Sequence, residues 1–153
     1  MDQLHLDQRF DGILYLEDED FDRNNKLIVS PEDKGKTHVV MIFANWCGPC
    51  KATKEPYSKL LKNVDQSKVR VACINLTGEE KGPYKNRDGE LNIRRRIDEI
   101  VPGFRGFPTI VLFDGEGNVV REDESAPTPA KPVKMYKGDR SVEDLAKFAN
   151  SLN

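Results

Sequence analysis

Cys47 and Cys50 stand three positions apart, with Gly48 and Pro49 between them. Disulfide exchange needs an accessible thiolate and a second thiol near enough to release it from the mixed disulfide before that intermediate is trapped. A two-residue spacer supplies that closeness. At the start of a helix, unpaired backbone N–H groups and the macrodipole stabilise negative charge, lowering the pKa of the first cysteine from about 8.5 toward or below neutrality. Cys47, with its sulfur exposed, is then the nucleophile, and Cys50, turned inward half a turn into the helix, is the resolving thiol. Trp46 and Pro49 stiffen the spacer and give the sulfur an apolar collar on which a peptide can lie, while Gly48 permits a tight turn. The same spacing is half a zinc site, but structural zinc takes four ligands. The rest of the chain offers Cys73, His5 and His38, none arranged as a second pair, so no metal is expected.

The surrounding pattern supplies the strand and helix that such a pair requires. His38 to Ala44 is an almost continuous apolar run rich in β-formers, the signature of a strand buried on both faces. After the cysteines, Tyr57, Leu60, Leu61 and Val64 recur at helical spacing, so a helix is expected from Lys51 to about Val64. Gly12 to Leu16 and Val69 to Leu76 read as further apolar runs. Glu17 to Asp20 suits the positive end of a short helix reaching about Asn24, and Lys26 to Lys36 reads as loop. Asn92 to Ile100 forms a helix that buries Leu91, Ile93, Ile97 and Ile100 and ends at Pro102-Gly103. Thr109 to Phe113 is a strand, Asp114 to Asn118 a hairpin turn, and Val119 to Arg121 the start of the returning strand. Val133 to Tyr136 resumes as an edge strand, and Ser141 opens a helix whose stripe is Val142, Leu145, Ala146, Ala149 and Leu152. Strands separated by helices imply parallel crossovers and the late hairpin an antiparallel edge. The expected class is α/β, with a mixed central sheet of four to five strands and helices on both faces.

At 153 residues one core suffices, and a single domain over 1–153 is expected. A formal net charge of −2 excludes a sequence-wide positive field, so nucleic acid is not an expected partner. No stretch approaches the roughly 20 apolar residues of a membrane span, and Met1 to Phe10 lacks the pattern of a signal peptide. No membrane partner and a cytoplasmic location follow as expectations. Three cysteines are too few for a secreted disulfide framework.

Trp46-Cys47-Gly48-Pro49-Cys50-Lys51 after a buried strand resembles the active site of the thioredoxin family, matching all six residues. A second match is Gly103 to Thr109, where the family carries a cis proline facing the disulfide. The resemblance gives that role to Pro108 and leaves the backbone of Phe107 free to pair with an extended substrate. Tyr136 to Leu145 is similar to the end of protein disulfide isomerase domains, which implies that Gly138 lines the substrate groove. Four departures stand out. Met41 occupies the strand position where the family usually buries an Asp or Glu beneath the resolving cysteine. Pro56 lies six residues after Cys50 where the family's helix proline lies five after, and Cys73 takes a position often held by lysine. Cys73 reads first as a small buried hydrophobe. The loops at about 77–90 and 125–132 exceed the minimal fold and can serve a special partner or be inert surface.

The expected function is thiol-disulfide oxidoreduction in which the Cys47–Cys50 couple reduces protein disulfides and an upstream thiol reductant restores it, with no cofactor. An oxidase or isomerase like protein disulfide isomerase is the nearest alternative. A binding module with weak redox activity is the other, and the missing acid at Met41 is its support. Arg94 to Arg96 read as a solvated helix face, and Asp114 to Asn118 as a hairpin rather than a calcium loop, since its twelfth position is Ser125.

Overall fold

A computed structural model describes residues 12–76, 92–122 and 131–152. Its elements are β1 (Leu14–Tyr15), β2 (Thr37–Phe43), α1 (Gly48–Ser58), β3 (Val69–Asn75), α2 (Asn92–Ile100), β4 (Thr109–Phe113) and α3 (Val142–Ala149). The sheet has four strands in the order β1-β3-β2-β4. β3 runs parallel to β1 and β2, β4 antiparallel to β2, and Met41 sits opposite both Cys73 and Ile110. This is the mixed α/β sheet of a thioredoxin fold, with β2 and β3 at its centre as their apolar runs require.

Strand side chains alternate between faces, and the core divides accordingly. Val39, Met41 and Phe43 of β2 join Val71 and Cys73 of β3 and Ile110 and Leu112 of β4 in one cluster, closed by α1 and α3. Val40, Ile42, Ala72, Ile74, Val111 and Phe113 point the other way and are covered by Ile93, Ile97 and Ile100 of α2. Burying each such aliphatic side chain is worth about 1.5–3 kcal/mol. Helices thus cover both faces. Among the described residues no helix is long and apolar enough to cross a membrane.

Several local expectations are corrected. The acidic run Glu17 to Asp20 makes one 3-10 turn, Asp18–Asp20, rather than a helix reaching Asn24. Phe21 already pairs with Leu27, and Asp22 accepts from the backbone N–H groups of Asn24 and Lys26, turning the chain back. The helix after the cysteines ends at Ser58 and tightens into a 3-10 turn, Lys59–Lys62, instead of running to Val64. Pro56 lies inside its last turn, where it has no N–H to donate and its ring crowds the carbonyl four residues back. Val119 to Arg121 and Val133 to Tyr136 are tied by isolated bridges, Phe113 to Val119, Arg121 to Val133 and Val111 to Met135, rather than by continuous strands. Of the arginines of α2, Arg95 is exposed as expected, but Arg94 and Arg96 are not a solvated face. Arg94 donates to the Leu76 carbonyl at 2.9 Å, and Arg96 binds Asp18 Oδ1, Asn25 Oδ1 and the Asp22 carbonyl, clamping that turn to α2. The hairpin at Asp114 forms as expected, with Asp114 Oδ1 accepting from the N–H groups of Glu116 and Asn118. The loop at 77–90 and most of that at 125–132 lie outside the described residues.

Candidate active site

β2 emerges from the core at Phe43, and the turn Ala44–Trp46 delivers Cys47 to the start of α1, as the strand-to-helix reading requires. Cys47 is the N-cap of that helix, in extended conformation, and its sulfur accepts the backbone N–H of Cys50 at 3.1 Å. The helix therefore aims an N–H at the first sulfur, an interaction that favours the thiolate. Cys47 and Cys50 are joined as a disulfide with Cα atoms 5.2 Å apart, inside the ordinary range for such bridges. Cys50 is fully enclosed, as expected of the inward thiol, but Cys47 keeps only 6% of its surface open rather than an exposed sulfur. The reason lies in the packing: Cys47 belongs to the core cluster with Phe43, Ala44 and Ile110.

Gly48 does not supply a tight turn. It is the first residue of α1, without positive φ, and a Cβ there would meet nothing within 4 Å. Pro49 occupies the first turn, where a missing N–H costs nothing, and its carbonyl accepts the Thr53 hydroxyl at 2.8 Å.

The second motif comes to the same corner. Trp46 is 59% exposed, and its ring meets Phe107 edge-on, centroids 5.4 Å apart at 89°. Phe104 also packs on Phe107, ring centroids 5.6 Å apart. The Phe107–Pro108 peptide bond is cis, and the Thr109 hydroxyl closes the loop by donating to the Gly106 carbonyl at 2.6 Å. Residues far apart in sequence thus form one aromatic row beside the disulfide. Such rings are worth about 0.5–1.5 kcal/mol per pair beyond the area they bury.

Gly138 has a steric role at the end of the same core. A side chain there would overlap Asp144 Oδ2 and the Tyr136 hydroxyl. Tyr136 donates to Asp144 at 2.8 Å and accepts the Arg140 N–H at 2.7 Å, and its ring packs on Phe148. Partial burial, reinforced by the Asp144 carboxylate, pushes its pKa up to about 12.

Met41 of β2 is fully buried in the same core cluster as Cys50, in the register position opposite Cys73. The polar groups of this core come from α1 instead. Tyr57 places its hydroxyl 2.9 Å from the Val39 carbonyl and 2.6 Å from that of Ala72, and burial holds its pKa well above the ordinary phenol value. Lys54, 6% exposed, donates to Asn45 Oδ1 at 3.1 Å and stands over the Phe43 ring, 5.2 Å from its centroid. Sequence reading named neither side chain for the site. The signal was available: Cys50, Thr53, Lys54 and Tyr57 lie at i, i+3, i+4 and i+7, the buried stripe of one helix. Among the described residues no group of three or more His, Cys, Asp or Glu is placed to hold a metal ion.

A family profile described as a thioredoxin-like domain matches residues 24–140. A protein of Invertebrate iridescent virus 6 described as thioredoxin-like is 34% identical over 125 residues, covering 75% of this chain and 83% of that protein. Protein disulfide-isomerase erp38 of Neurospora crassa is 29% identical over 114 residues, 74% of this chain but 24% of the isomerase. Among solved structures, human ERp44 superposes with a TM-score of 0.56 at 18% identity, over 91% of this chain and 31% of that one, a likeness of fold.

Proposed function

The chain belongs to the thioredoxin-like family of thiol-disulfide oxidoreductases, and from that premise we propose that it reduces disulfides in other proteins through Cys47 and Cys50. The observation that carries this reading is the convergence of a disulfide-bonded pair at a helix N-terminus with the Trp46–Phe107 ring contact beside Pro108. The Cys47 thiolate attacks one sulfur of the target disulfide, that bond breaks, and the departing target thiolate takes a proton from solvent. Cys50, as thiolate, then attacks the Cys47 sulfur. The mixed disulfide breaks, the second target thiolate leaves, and Cys47–Cys50 closes, so two electrons have passed to the target. An upstream thiol reductant restores the dithiol, and the cycle needs no cofactor. Trp46, Gly48, Pro49, Phe107 and Gly138 form the docking surface, where an extended peptide pairs with the Phe107 backbone. The reducing direction goes with a reducing compartment such as the cytoplasm.

Dithiol-driven reduction of insulin, followed by turbidity, tests the reading. Rapid turbidity lost in both Cys47→Ser and Cys50→Ser is expected, and a wild-type rate no better than dithiol alone would overturn it. Buried Met41 favours a second reading, a binding module with slow exchange, which that negative result would support. The isomerase relatives favour a third, separated by equilibrium with glutathione: a potential near about −180 mV indicates isomerase chemistry and a markedly lower one a reductant.

A further inference from the structure

The chain passing through the bridge between Val111 and Met135 runs antiparallel to β4, and the Tyr136 N–H donates to the Ile110 carbonyl at 2.9 Å. Each further residue steps one position back along β4, so Lys137 comes level with Thr109 and Gly138 with Pro108. The loop that joins this segment to α3 therefore begins at the corner where Phe107 meets Trp46. Polar ties fix its path. The Tyr136 hydroxyl donates to Asp144 Oδ2 at 2.8 Å and accepts the Arg140 N–H at 2.7 Å, gripping helix and loop with one phenol. Gly138 presses so closely on that phenol and carboxylate that a Cβ would overlap both. Arg140 takes a left-handed φ of 67°, which is unfavourable for a residue with a side chain and persists only where its neighbours over-determine it. Its bond to the phenol is such a neighbour. The Tyr136 ring is anchored in turn, packed on Phe148 and against the core cluster that holds both cysteines. Burial, reinforced by the Asp144 carboxylate, pushes the phenol's pKa up to about 12, so it stays a donor across the range in which thiols exchange. A helix start needs a cap, and Ser141 supplies one by accepting the Asp144 N–H at 3.1 Å. The phenol, the glycine against it and the left-handed Arg140 go further: they set the course of the exposed residues 137–140 beside Pro108.

We propose that Tyr136 is a positioning residue for exchange: bonded to Asp144, it holds the loop from Lys137 to Arg140 as one wall of the groove beside Pro108, and so sets how tightly an extended polypeptide disulfide docks. The inference rests on the exchange reading above and adds to it a residue that governs substrate selection. An extended peptide lays its main chain along the groove as well as over the cysteines, whereas a disulfide without peptide bonds needs only to reach Cys47. Tyr136 therefore separates polypeptide from small disulfides and takes no part in the sulfur chemistry.

The test mixes the reduced full chain with rising concentrations of insulin or of hydroxyethyl disulfide and follows closure of Cys47–Cys50 by acid quench, alkylation and mass. In either case two electrons leave the dithiol and one substrate disulfide becomes two thiols. Tyr136→Phe and Asp144→Ala should raise the half-saturating insulin concentration about three- to tenfold, the worth of one hydrogen bond, while the limiting rate and the rate with hydroxyethyl disulfide stay within about twofold of wild type. Asp144→Asn, whose amide oxygen still accepts from the phenol, should remain within about twofold of wild type on both substrates. Unchanged insulin half-saturation in Tyr136→Phe and Asp144→Ala, equal slowing with both substrates, an asparagine variant displaced as far as the alanine one, or failure of both Tyr136→Phe and Asp144→Ala to fold would overturn the proposal in favour of a purely structural bond. A wild type that passes electrons to neither substrate would instead defeat the exchange reading itself, and this inference with it.

Discussion

Helix α2 buries Ile93, Ile97 and Ile100 against one face of the sheet, while α1 buries Cys50, Thr53, Lys54 and Tyr57 against the other. One contact surface is hydrocarbon. The other is a thiol, a hydroxyl, an ammonium and a phenol, without one aliphatic side chain from the helix itself. Both helices lie on the same central strands, yet the buried stripe of α2 rests on non-directional burial, with Arg94 and Arg96 bonding at its rim, whereas that of α1 is polar and reaches the strands through the Tyr57 hydroxyl. The sheet therefore separates the task of staying folded from the task of presenting sulfur, and changes on its two sides should have different consequences.

The largest break expected on the scaffold side is Ile97→Ala. Loss of a buried isoleucine side chain should cost about 2–5 kcal/mol, read as a lowered urea midpoint, with insulin reduction retained wherever the variant stays folded. A large loss of exchange in folded Ile97→Ala would deny the division of labour.

Next is Tyr57→Phe on the opposite face. It keeps the ring and removes only the hydroxyl donor shared by the Val39 and Ala72 carbonyls, for a cost of about 1–3 kcal/mol. Because Tyr57 lies on the stripe that carries Cys50, this variant should also slow exchange, a double effect that Ile97→Ala lacks. Arg96→Met should cost less, about 1–2 kcal/mol, by releasing the Asp18–Asn25 turn from α2. Faster hydrogen exchange in that turn, with the redox equilibrium unchanged, is the expected signature.

The smallest effect is set by pH at the start of β2. His38 is buried, and burial lowers its pKa below 6.5 even though its Nδ1 lies 3.2 Å from the Lys36 carbonyl. The unfolded chain then takes up a proton first as pH falls, so stability is full above about 6.5 and declines as pH drops through the lower folded value. His38→Gln should flatten that part of the stability profile. Asp33 acts in a lower window. Burial raises its pKa, but Lys36 and Arg70 outweigh it and leave it below 3.8, so its contribution is present above that value and is lost as pH falls through the folded pKa.

The same contrast governs what could be read from sequence. α2, β2, β4 and the position of the cysteines at a strand-to-helix junction were legible, because their apolar spacing matches the period of the element they form. Pro108 and Phe107 were reached through a motif, and the Trp46–Phe107 ring contact brings that motif to the cysteines. What escaped were placements made by hydrogen bonds. A search for an apolar stripe passes over Lys54 as a surface residue, although its spacing from Cys50 and Tyr57 puts it inside. Glu17 to Asp20 carries the charges of a helix start, but Asp22 and Arg96 spend their polar groups on folding the chain back instead. Gly48 is a glycine of open space rather than of backbone angle, a distinction that spacing does not encode.

The Tyr57 hydroxyl has a geometric consequence. It reaches two adjacent strands at once, seven residues beyond Cys50 and so about two helical turns along the same line. A helix resting on hydrocarbon alone can roll by some degrees at little expense. This one is keyed: rolling α1 about its long axis would pull the phenol from its slot between β2 and β3 before it moved the second sulfur far. The hydroxyl is an indexing pin, and the bearing of Cys50 toward Cys47 is registered from two turns away.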